Sequence, residues 1–344
     1  MSHFSSPSAR TTLPRFLADQ QRRVPSATGD FTGLLLQIAL ASKIIASRVR
    51  RAGLADVLGL TGDINVHGEA VQKLDIFAHR TLVSCVEASG HVCIMGSEEM
   101  EEPITLPEGY PKGKYVLSFD PLDGSGNIDI NASLGTIFSI HRRKSSGSGA
   151  GELRDLLQPG RDIVAAGYVI YGSSNMFVYS AGHGVHGFTL DPSVGEFFLS
   201  HESIRIPERG SVYSVNEGNY RRWAPGIRAW VDSLKSDGPD GKARHTQRYI
   251  GAMVADIHQT LLRGGVFAYP ADARNTQGKL RLLYEAAPMA YLVCAAGGAA
   301  TSGESAVLDI EPQSLHQRTP LFLGSRVQVE EAMAFLQRGG QDSA

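Results

Sequence analysis

The pattern of apolar and polar positions predicts a chain in which helices and strands alternate. Apolar residues recur at helical spacing over residues 31–52, and Gly53 would end this first long helix. A second helix is predicted over about residues 69–89, with Gly90 as its stop. The segment KLRLLYEAAPMAYLVCAAGG predicts a final helix that carries one interior glutamate and stops at Gly297.

Short apolar runs predict strands, and two of these runs end in acidic residues. HVCIMGSEE and KYVLSFDPLD predict strands that deliver carboxylates from their ends, which suggests one shared site. From IVAAGYVIYGSSNMFVYSAG onward, alternating apolar residues and repeated glycines predict antiparallel strands. GGVFAYPA predicts a further strand, residues 226–234 a helix, and SSGSGAGE a flexible loop.

Length and composition indicate an ordinary globular protein. The chain has 344 residues, of which 42% are hydrophobic and 20% charged, so we expect one large domain or two closely packed ones. The formal net charge is −2 and basic residues are not interleaved with aromatic ones, which argues against nucleic acid as a partner. The most apolar stretch, LLLQIALASKIIA, is interrupted by polar residues, so we expect a core helix and no membrane partner.

The cysteines and the start of the chain indicate the cellular compartment. Cys85, Cys93 and Cys294 are an odd number at spacings that suit neither a zinc site nor a disulfide scaffold. Buried thiols in a reducing compartment, the cytoplasm, are therefore expected. The first sixteen residues carry serines and arginines without acids, and no signal-type apolar run follows, so we expect a mobile arm.

The segment FDPLDGSGNIDIN concentrates the candidate chemistry. Asp120 and Asp123 share one turn, where two carboxylates about 4 Å apart would repel by roughly 4 kcal/mol at an effective dielectric of about 20. Residues 119–140 contain no lysine or arginine to offset that repulsion. Hard oxygen ligands of this kind suit Mg²⁺ or Mn²⁺. Because Gly124 and Ser125 can present successive N–H groups, a phosphate would fit beside the metal.

Three further acids extend this constellation. Glu98 and Glu99 are adjacent, so their side chains would diverge on a strand and could serve a metal and a water separately. Glu285 lies among apolar residues, where an unpaired carboxylate costs several kcal/mol, so it either pairs with Arg281 or binds metal. The structural alternatives are a solvated acidic run at 98–102 and an Asx-type turn at 120–123.

Seven motifs follow one another along the chain: GSEE, FDPLDGSGNID, SLGTIFSI, LQPGRDIVAAGYVIYGSSNM, VNEGN, RYIGAMVADIH and GKLRLLYEAAPMAYL. Together they resemble the class I fructose-1,6-bisphosphatases, from about Thr12 to about Glu331. The resemblance implies an α/β (α+β layered) fold, the sugar phosphatase fold of stacked helices and sheets related to inositol monophosphatases. It implies an arm (1–27), an N-terminal domain with the metal carboxylates and an AMP site (28–200), and a C-terminal sugar-phosphate-binding domain (201–338).

The implied reaction is metal-dependent hydrolysis of the 1-phosphate of D-fructose 1,6-bisphosphate, giving fructose 6-phosphate and phosphate, in gluconeogenesis or carbon fixation. The implied metal ligands are Glu98, Asp120, Leu122 through its carbonyl, Asp123, Glu285 and, where the family has Asp, Glu69. They would hold two or three Mg²⁺ per subunit, which Mn²⁺ can replace. The implied catalytic residues are Glu99 and Asp75, which activate water, with Asp120 and Asp123.

Contacts with the two ligands follow from the same resemblance. The implied substrate contacts are Asp123, Gly124, Ser125, Asn216, Arg248, Tyr249, Met253, Tyr269, Lys279 and Arg281. Arg248 would reach into a neighbouring subunit, which implies a homotetramer with shared sites. The implied AMP site, which would make the enzyme allosteric, consists of Thr28, Gly29, Thr32, Lys114, Tyr115 and Arg142.

Two other functions stay open at this point. A sedoheptulose-1,7-bisphosphatase, or an enzyme that acts on both sugars, would differ in the pocket near Asn216 and Tyr269. A non-catalytic nucleotide sensor or scaffold would have lost at least one of the four metal carboxylates, and all four are present.

Overall fold

Helices and sheets alternate in five layers. The structure is a computed structural model that describes residues 11–51, 60–64, 70–237 and 244–341. Its α-helices are α1 (Leu13–Gln21), α2 (Asp30–Val49), α3 (Lys73–Glu87), α4 (Leu153–Leu156), α5 (Pro225–Lys235), α6 (Met253–Arg263), α7 (Ala287–Ala295) and α8 (Arg326–Gln341). Its strands are β1 (Leu60–Ile64), β2 (Ala70–Gln72), β3 (Val92–Ser97), β4 (Ile104–Thr105), β5 (Tyr115–Asp123), β6 (Leu134–Arg142), β7 (Ala165–Tyr171), β8 (Asn175–Ser180), β9 (Val185–Asp191), β10 (Glu196–Ile204), β11 (Val212–Ser214), β12 (Thr246–Gln247), β13 (Val266–Tyr269), β14 (Leu280–Arg281), β15 (Ala299–Thr301), β16 (Arg318–Thr319) and β17 (Leu321–Gly324).

The larger sheet has eight strands in the order β10-β9-β8-β7-β6-β5-β3-β4. Neighbours are antiparallel except β3 and β5, which run parallel. Side chains alternate between its faces, because successive residues of a strand point in opposite directions. On β8, for example, Phe177 and Tyr179 face one core cluster while Met176 and Val178 face another. Both faces of this sheet are therefore buried.

Three N-terminal helices cover one face of the large sheet. The apolar stripe of α2, with Leu34, Leu35 and Ile38 fully buried, packs with α1 and α3 against the strands. The expected arm is wrong for this part of the chain, because α1 begins at Leu13 and buries that residue together with Leu17. Their apolar side chains gain more by packing on the sheet than an extended arm would allow.

The opposite face of the large sheet packs on α6 and α7, which separate it from a smaller sheet. That second sheet has five strands in the order β12-β11-β13-β17-β15, and α5 and α8 cover its far side. Two-stranded pairs, β1 with β2 and β14 with β16, complete the described strands. The layer order is thus helix, sheet, helix, sheet, helix, as the layered α/β prediction requires.

Two predicted helices differ from the observed ones in instructive ways. The second helix starts at Lys73, because residues 70–72 pair as a strand with β1. The last predicted helix begins with one wide π-type turn, Leu282–Ala286, which places Glu285 at the site described below. It is also not the last, since α8 follows it with an apolar face that the periodicity analysis missed.

Helix α2 has the length and apolar composition of a membrane span, and among the described residues it is the one helix that does. It is the core helix that the interrupted pattern predicts, because its apolar face packs into the layer with α1 and α3. Lys43, within the helix, pairs with Glu196 of β10 at 2.8 Å.

Candidate active site

The acidic residues meet where two neighbouring strands end. Because β3 and β5 are parallel, their carboxyl ends lie side by side, and the backbone N–H of Glu98 donates to the carbonyl of Phe119 at 3.0 Å. Asp120, Asp123 and Glu285 each offer an oxygen, and these oxygens lie within 4.8 Å of one another. We call these three residues, with Glu98 beside them, the acid cluster.

Backbone N–H groups hold each carboxylate of the trio. The N–H of Leu122 donates to Asp120 Oδ1 at 2.9 Å. The N–H of Val254, at the start of α6, donates to Asp123 Oδ2 at 2.7 Å. The N–H of Arg281 donates to Glu285 Oε2 at 2.5 Å. The orientation of these side chains is therefore fixed by the backbone before any ligand binds.

Burial and mutual repulsion shift the pKa of every member of the trio upward. Burial and the charges of Glu98, Asp123 and Glu285 raise the pKa of Asp120 well above its ordinary value. Burial raises the pKa of Asp123 to about 6, against the lowering effect of two backbone N–H groups. Burial and the charge of Glu98 raise the pKa of Glu285 to about 8. Concentrated oxygen ligands with unfavourable negative charge fit divalent cations such as Mg²⁺ or Mn²⁺.

Arg281 is a cation that contacts this cluster. Its side chain is almost fully buried, and its Nη2 lies 3.4 Å from Glu98 Oε1. Its Nη1 donates to the carbonyl of Lys279 at 3.0 Å. The predicted pairing of Glu285 with Arg281 is made by the backbone N–H of Arg281, whereas the guanidinium contacts Glu98. Glu285 therefore keeps an oxygen within the acid cluster.

The loop after the cluster is shaped by Gly124. This residue has φ +78°, a left-handed conformation that favours glycine, and a Cβ built on it would lie 2.5 Å from the Cβ of Ala252. It begins a short 3₁₀ turn over Ser125–Asn127. A Cβ on Gly126 would meet nothing within 4 Å. The turn in which a phosphate nest is predicted is thus closely packed at Gly124 and open at Gly126.

The two residues expected to activate water lie on elements next to the cluster. Glu99 follows β3, and its charge contributes to the raised pKa of Asp120. Its backbone N–H donates to Ser97 Oγ at 3.3 Å. Asp75 is buried in the first turn of α3, which packs on β5. Glu69, the expected additional metal ligand, lies outside the described residues.

Five of the ten expected substrate contacts line two cavities. Asn216, Arg248 and Tyr249 line a cavity of about 630 Å³, which we call the sugar cavity. A second cavity of about 320 Å³, the distal cavity, is lined by Asn219, Arg222, Tyr269, Arg274, Asn275, Lys279 and Arg318. Burial raises the pKa of Tyr249 above its usual range, and the nearby Tyr269 phenol adds to the shift. Met253 is buried at the start of α6.

Sequence reasoning missed five residues of the distal cavity: Asn219, Arg222, Arg274, Asn275 and Arg318. They are spread over 100 positions and belong to no single motif, so spacing offered no signal. The nearest hint is the basic pair after VNEGNY, which a linear pattern cannot distinguish from a solvated turn.

A separate cavity of about 840 Å³ lies between α1, α2 and the large sheet. Its lining includes all six residues of the expected AMP site: Thr28, Gly29, Thr32, Lys114, Tyr115 and Arg142. Within it, Lys114 Nζ donates to Thr28 Oγ1 at 2.6 Å and pairs with Asp30 Oδ2 at 2.7 Å. The structure therefore brings these six residues together.

A buried acid cluster linked through Arg281 to a cationic cavity, in alternating layers of helix and sheet, defines the class: a layered α/β sugar phosphatase. Residues 11–202 match the family model "Fructose-1-6-bisphosphatase, N-terminal domain", and residues 206–337 match "Fructose-1-6-bisphosphatase, C-terminal domain". The chain belongs to the fructose-1,6-bisphosphatase family, as its motifs predict.

Individual relatives agree with this assignment. The class 1 fructose-1,6-bisphosphatase of a Sulfurihydrogenibium species is 52% identical over 328 residues, which cover 95% of this chain and 98% of the relative. That of Sorangium cellulosum is 54% identical over 327 residues, which cover 94% of this chain and 93% of the relative. Among solved structures, the holo form of Leishmania major fructose-1,6-bisphosphatase has a TM-score of 0.89 at 44% identity. The match covers 95% of this chain and 99% of that structure's chain.

Proposed function

We propose that this protein is a fructose-1,6-bisphosphatase, which hydrolyses the 1-phosphate of fructose 1,6-bisphosphate to give fructose 6-phosphate and phosphate. The single observation that carries this proposal is the junction of two sites. An acid cluster able to hold metal is linked through Arg281 to a cationic cavity able to hold a second phosphate, because Arg281 contacts Glu98 and donates to the carbonyl of Lys279, which lines the distal cavity. A substrate with a phosphate at each end fits such a pair of sites.

The acid cluster would hold two or three Mg²⁺ ions, or Mn²⁺ in their place. Its ligands would be Glu98, Asp120, Asp123 and Glu285, with the Leu122 carbonyl and Glu69. When bound, the metal polarises phosphoryl oxygens, lowers the pKa of a bound water and offsets charge on the departing oxygen.

The other residues orient the substrate and handle the proton. Glu99 and Asp75 would accept the proton of the attacking water, since both are carboxylates that flank the cluster. N–H groups at Gly124 and Ser125 would bind the 1-phosphate. Asn216, Tyr249 and Met253 would contact the sugar, while Tyr269 and Lys279, together with Arg248 from a neighbouring subunit, would bind the distal phosphate. Positioning of both phosphates accounts for most of the rate enhancement expected here.

The proposal is tested by phosphate release from two substrates in parallel. Fructose 1,6-bisphosphate and sedoheptulose 1,7-bisphosphate share the reacting end and differ at the far end. Faster turnover of the fructose substrate, with fructose 6-phosphate as product, is the expected result. Faster turnover of the sedoheptulose substrate would instead assign the sedoheptulose-1,7-bisphosphatase alternative. No turnover of either by folded, Mg²⁺-loaded protein would favour the sensor or scaffold.

We also propose that the 840 Å³ cavity binds AMP. Its lining combines Lys114 and Arg142 for a phosphate with Tyr115 for a base, and the N-terminus of α2 contributes N–H groups near Gly29. Asp30 already pairs with Lys114, so AMP would have to displace a carboxylate from that amine.

AMP inhibition would be measured as the fall in phosphate release with increasing AMP. Lys114→Gln should raise the inhibitory AMP concentration roughly tenfold and leave the uninhibited rate unchanged. Lys112→Gln, two residues away and outside the cavity lining, is the matched control. Inhibition that is equal in all three proteins would contradict this site.

A homotetramer with shared sites is the proposed assembly. Arg248 is exposed on the rim of the sugar cavity, where a side chain from one subunit could enter a neighbour. Mixing Arg248→Gln subunits with wild-type subunits should give activity that is not the simple average, since each site would draw on two chains. A monomer by light scattering would overturn the proposal.

We place the protein in the cytoplasm. Its three cysteines carry no disulfide, and Cys93 is buried with a pKa raised by burial to about 11. Thiols of this kind suit a reducing compartment.

A further inference from the structure

The distal cavity contains a side-chain amide, that of Asn219, whose orientation is set by a neighbouring arginine of the same cavity. Asn219 lines this cavity next to Tyr269 and Lys279. Its Oδ1 accepts a hydrogen bond from Nη2 of Arg222. Because a carboxamide is planar and carries its donor and acceptor on opposite branches, this bond turns the NH₂ group away from Arg222.

Arg222 is itself anchored. Its Nε lies 3.6 Å from Oδ2 of Asp272, whose side chain is only 2% exposed. The backbone N–H of Ala273 also donates to the Arg222 carbonyl at 3.0 Å. The guanidinium is thus held between a buried carboxylate and the Asn219 amide.

Asp272 also fixes the backbone of the loop that contains Arg274 and Asn275. Its Oδ1 accepts from the N–H groups of Arg274 and Asn275, both at 2.8 Å. One carboxylate therefore fixes the backbone of the loop and, through its other oxygen, the position of Arg222. Two segments of chain that are 50 residues apart share this one anchor.

We infer that Asn219 donates its amide N–H to the distal phosphate of the substrate, and that Arg222, held by Asp272, is the positioning residue that keeps the donor side of the amide toward it. This inference rests on the proposed function and deepens it. Arg222 is partly neutralised by Asp272, so it acts through Asn219, whereas Lys279 acts as a direct cation.

The residue type at 219 supports a donor role. A carboxylate at this position would pair with Arg222 more strongly than a neutral amide does. It would also place a negative charge in a cavity lined by Lys279 and arginines, where a phosphate dianion is to bind. Asparagine satisfies Arg222 with its oxygen and leaves a donor for an anion.

The test compares ligands with and without the distal phosphate. Fructose 1,6-bisphosphate and fructose 1-phosphate share the reacting phosphate, and only the first reaches the distal cavity. Asn219→Asp should raise KM for fructose 1,6-bisphosphate about tenfold or more, with kcat within about twofold of wild type. KM for fructose 1-phosphate should stay within about twofold. Asn219→Ala, which adds no charge, should show the same selectivity with a smaller increase.

Variants of Arg222 separate positioning from charge. Arg222→Lys keeps the charge, but its single ammonium group cannot contact Asp272 and Asn219 together as the guanidinium does. It should therefore raise KM for fructose 1,6-bisphosphate about threefold to tenfold, and Arg222→Gln should have the same effect. The matched control is Arg221→Gln, an exposed neighbour outside the cavity, which should behave as wild type. Wild-type KM in Arg222→Lys would overturn the positioning role.

Direct binding of fructose 6-phosphate, measured by calorimetry, tests the same contact without turnover. Its Kd should rise about tenfold or more in Asn219→Asp and remain unchanged in Arg221→Gln. This result stands even if wild-type protein fails to hydrolyse fructose 1,6-bisphosphate, so failure of the proposed function is distinguishable. Unchanged Kd in a variant that unfolds at the wild-type temperature, or equal losses with both sugar phosphates, would overturn the inference.

Discussion

The acid cluster and the distal cavity handle charge in opposite ways. Asp120 and Asp123 are 7% and 8% exposed, and their neighbours carry the same sign of charge. In the distal cavity, Arg222 is 38% exposed and faces an oppositely charged carboxylate, Asp272. The first region is therefore incomplete without a cation, whereas the second already contains part of its own compensation.

This difference shows which region depends more strongly on its ligand. Like charges packed in a buried place cost free energy, which Arg281 offsets in part through Glu98 and which protons or metal would have to offset further. Partly exposed cations are screened by water and tolerate an empty cavity. We therefore expect changes in the acid cluster to abolish activity, and changes in the cavities to weaken substrate binding.

The largest effect is expected for Asp120→Asn. The amide oxygen can still accept from the Leu122 N–H, so the fold should be retained, while a metal-neutralising charge is lost. Phosphate release with Mg²⁺ should fall on the order of 10³-fold, because a lost metal contact costs several kcal/mol of transition-state stabilisation. Activity close to wild type would refute the role of Asp120.

Arg281→Met should give the next largest effect, since Arg281 contacts both regions. The substitution leaves Glu98 without its guanidinium and frees the Lys279 carbonyl. We expect kcat/KM to fall roughly 10²-fold and the protein to unfold at a lower temperature, because one partner of a buried pair is removed. Arg161→Gln, which breaks an exposed pair with Glu311, is the control and should change kcat/KM less than about twofold.

Two glycines of one loop give a matched pair with a smaller effect. Gly124→Ala should lower kcat roughly tenfold or more, because the new Cβ would lie 2.5 Å from Ala252 in a left-handed conformation that costs about 1–2 kcal/mol. Gly126→Ala meets open space, so its kcat should stay within about twofold of wild type. Equal kinetics for the two variants would show that the loop does not shape the phosphate site.

The smallest expected effect is on thermal stability. Mg²⁺ at about 100 times its Kd should stabilise the metal-free protein by about 2.7 kcal/mol, which raises the unfolding temperature by several degrees. Asp123→Asn should abolish this shift while leaving stabilisation by fructose 6-phosphate intact. A Mg²⁺ shift of undiminished size in that variant would place the metal elsewhere.

Local sequence patterns were enough to predict much of the fold and the acid cluster. The strands that end in Glu98 and Asp120 are each short apolar runs, and their parallel pairing brings the acids together as predicted. Helix α8 was missed although its apolar face, Val329, Ala332, Met333 and Leu336, has helical spacing and packs on α5 and the second sheet.

The distal cavity was less accessible to sequence reasoning. Arg222 and Asp272 are distant in the chain, and neither belongs to a run of charge or a recognised motif. The divided cavities also could not be inferred, since they depend on how Tyr249 and Tyr269 are placed by different strands and loops. Such placements follow from packing of whole layers.

The most direct test of the account is metal-dependent phosphate release from fructose 1,6-bisphosphate by the purified protein. The account predicts turnover with Mg²⁺, its loss in EDTA, and its return when Mg²⁺ is added in excess. Turnover that persists in EDTA, or no turnover from a folded and Mg²⁺-loaded protein, would contradict a catalytic acid cluster.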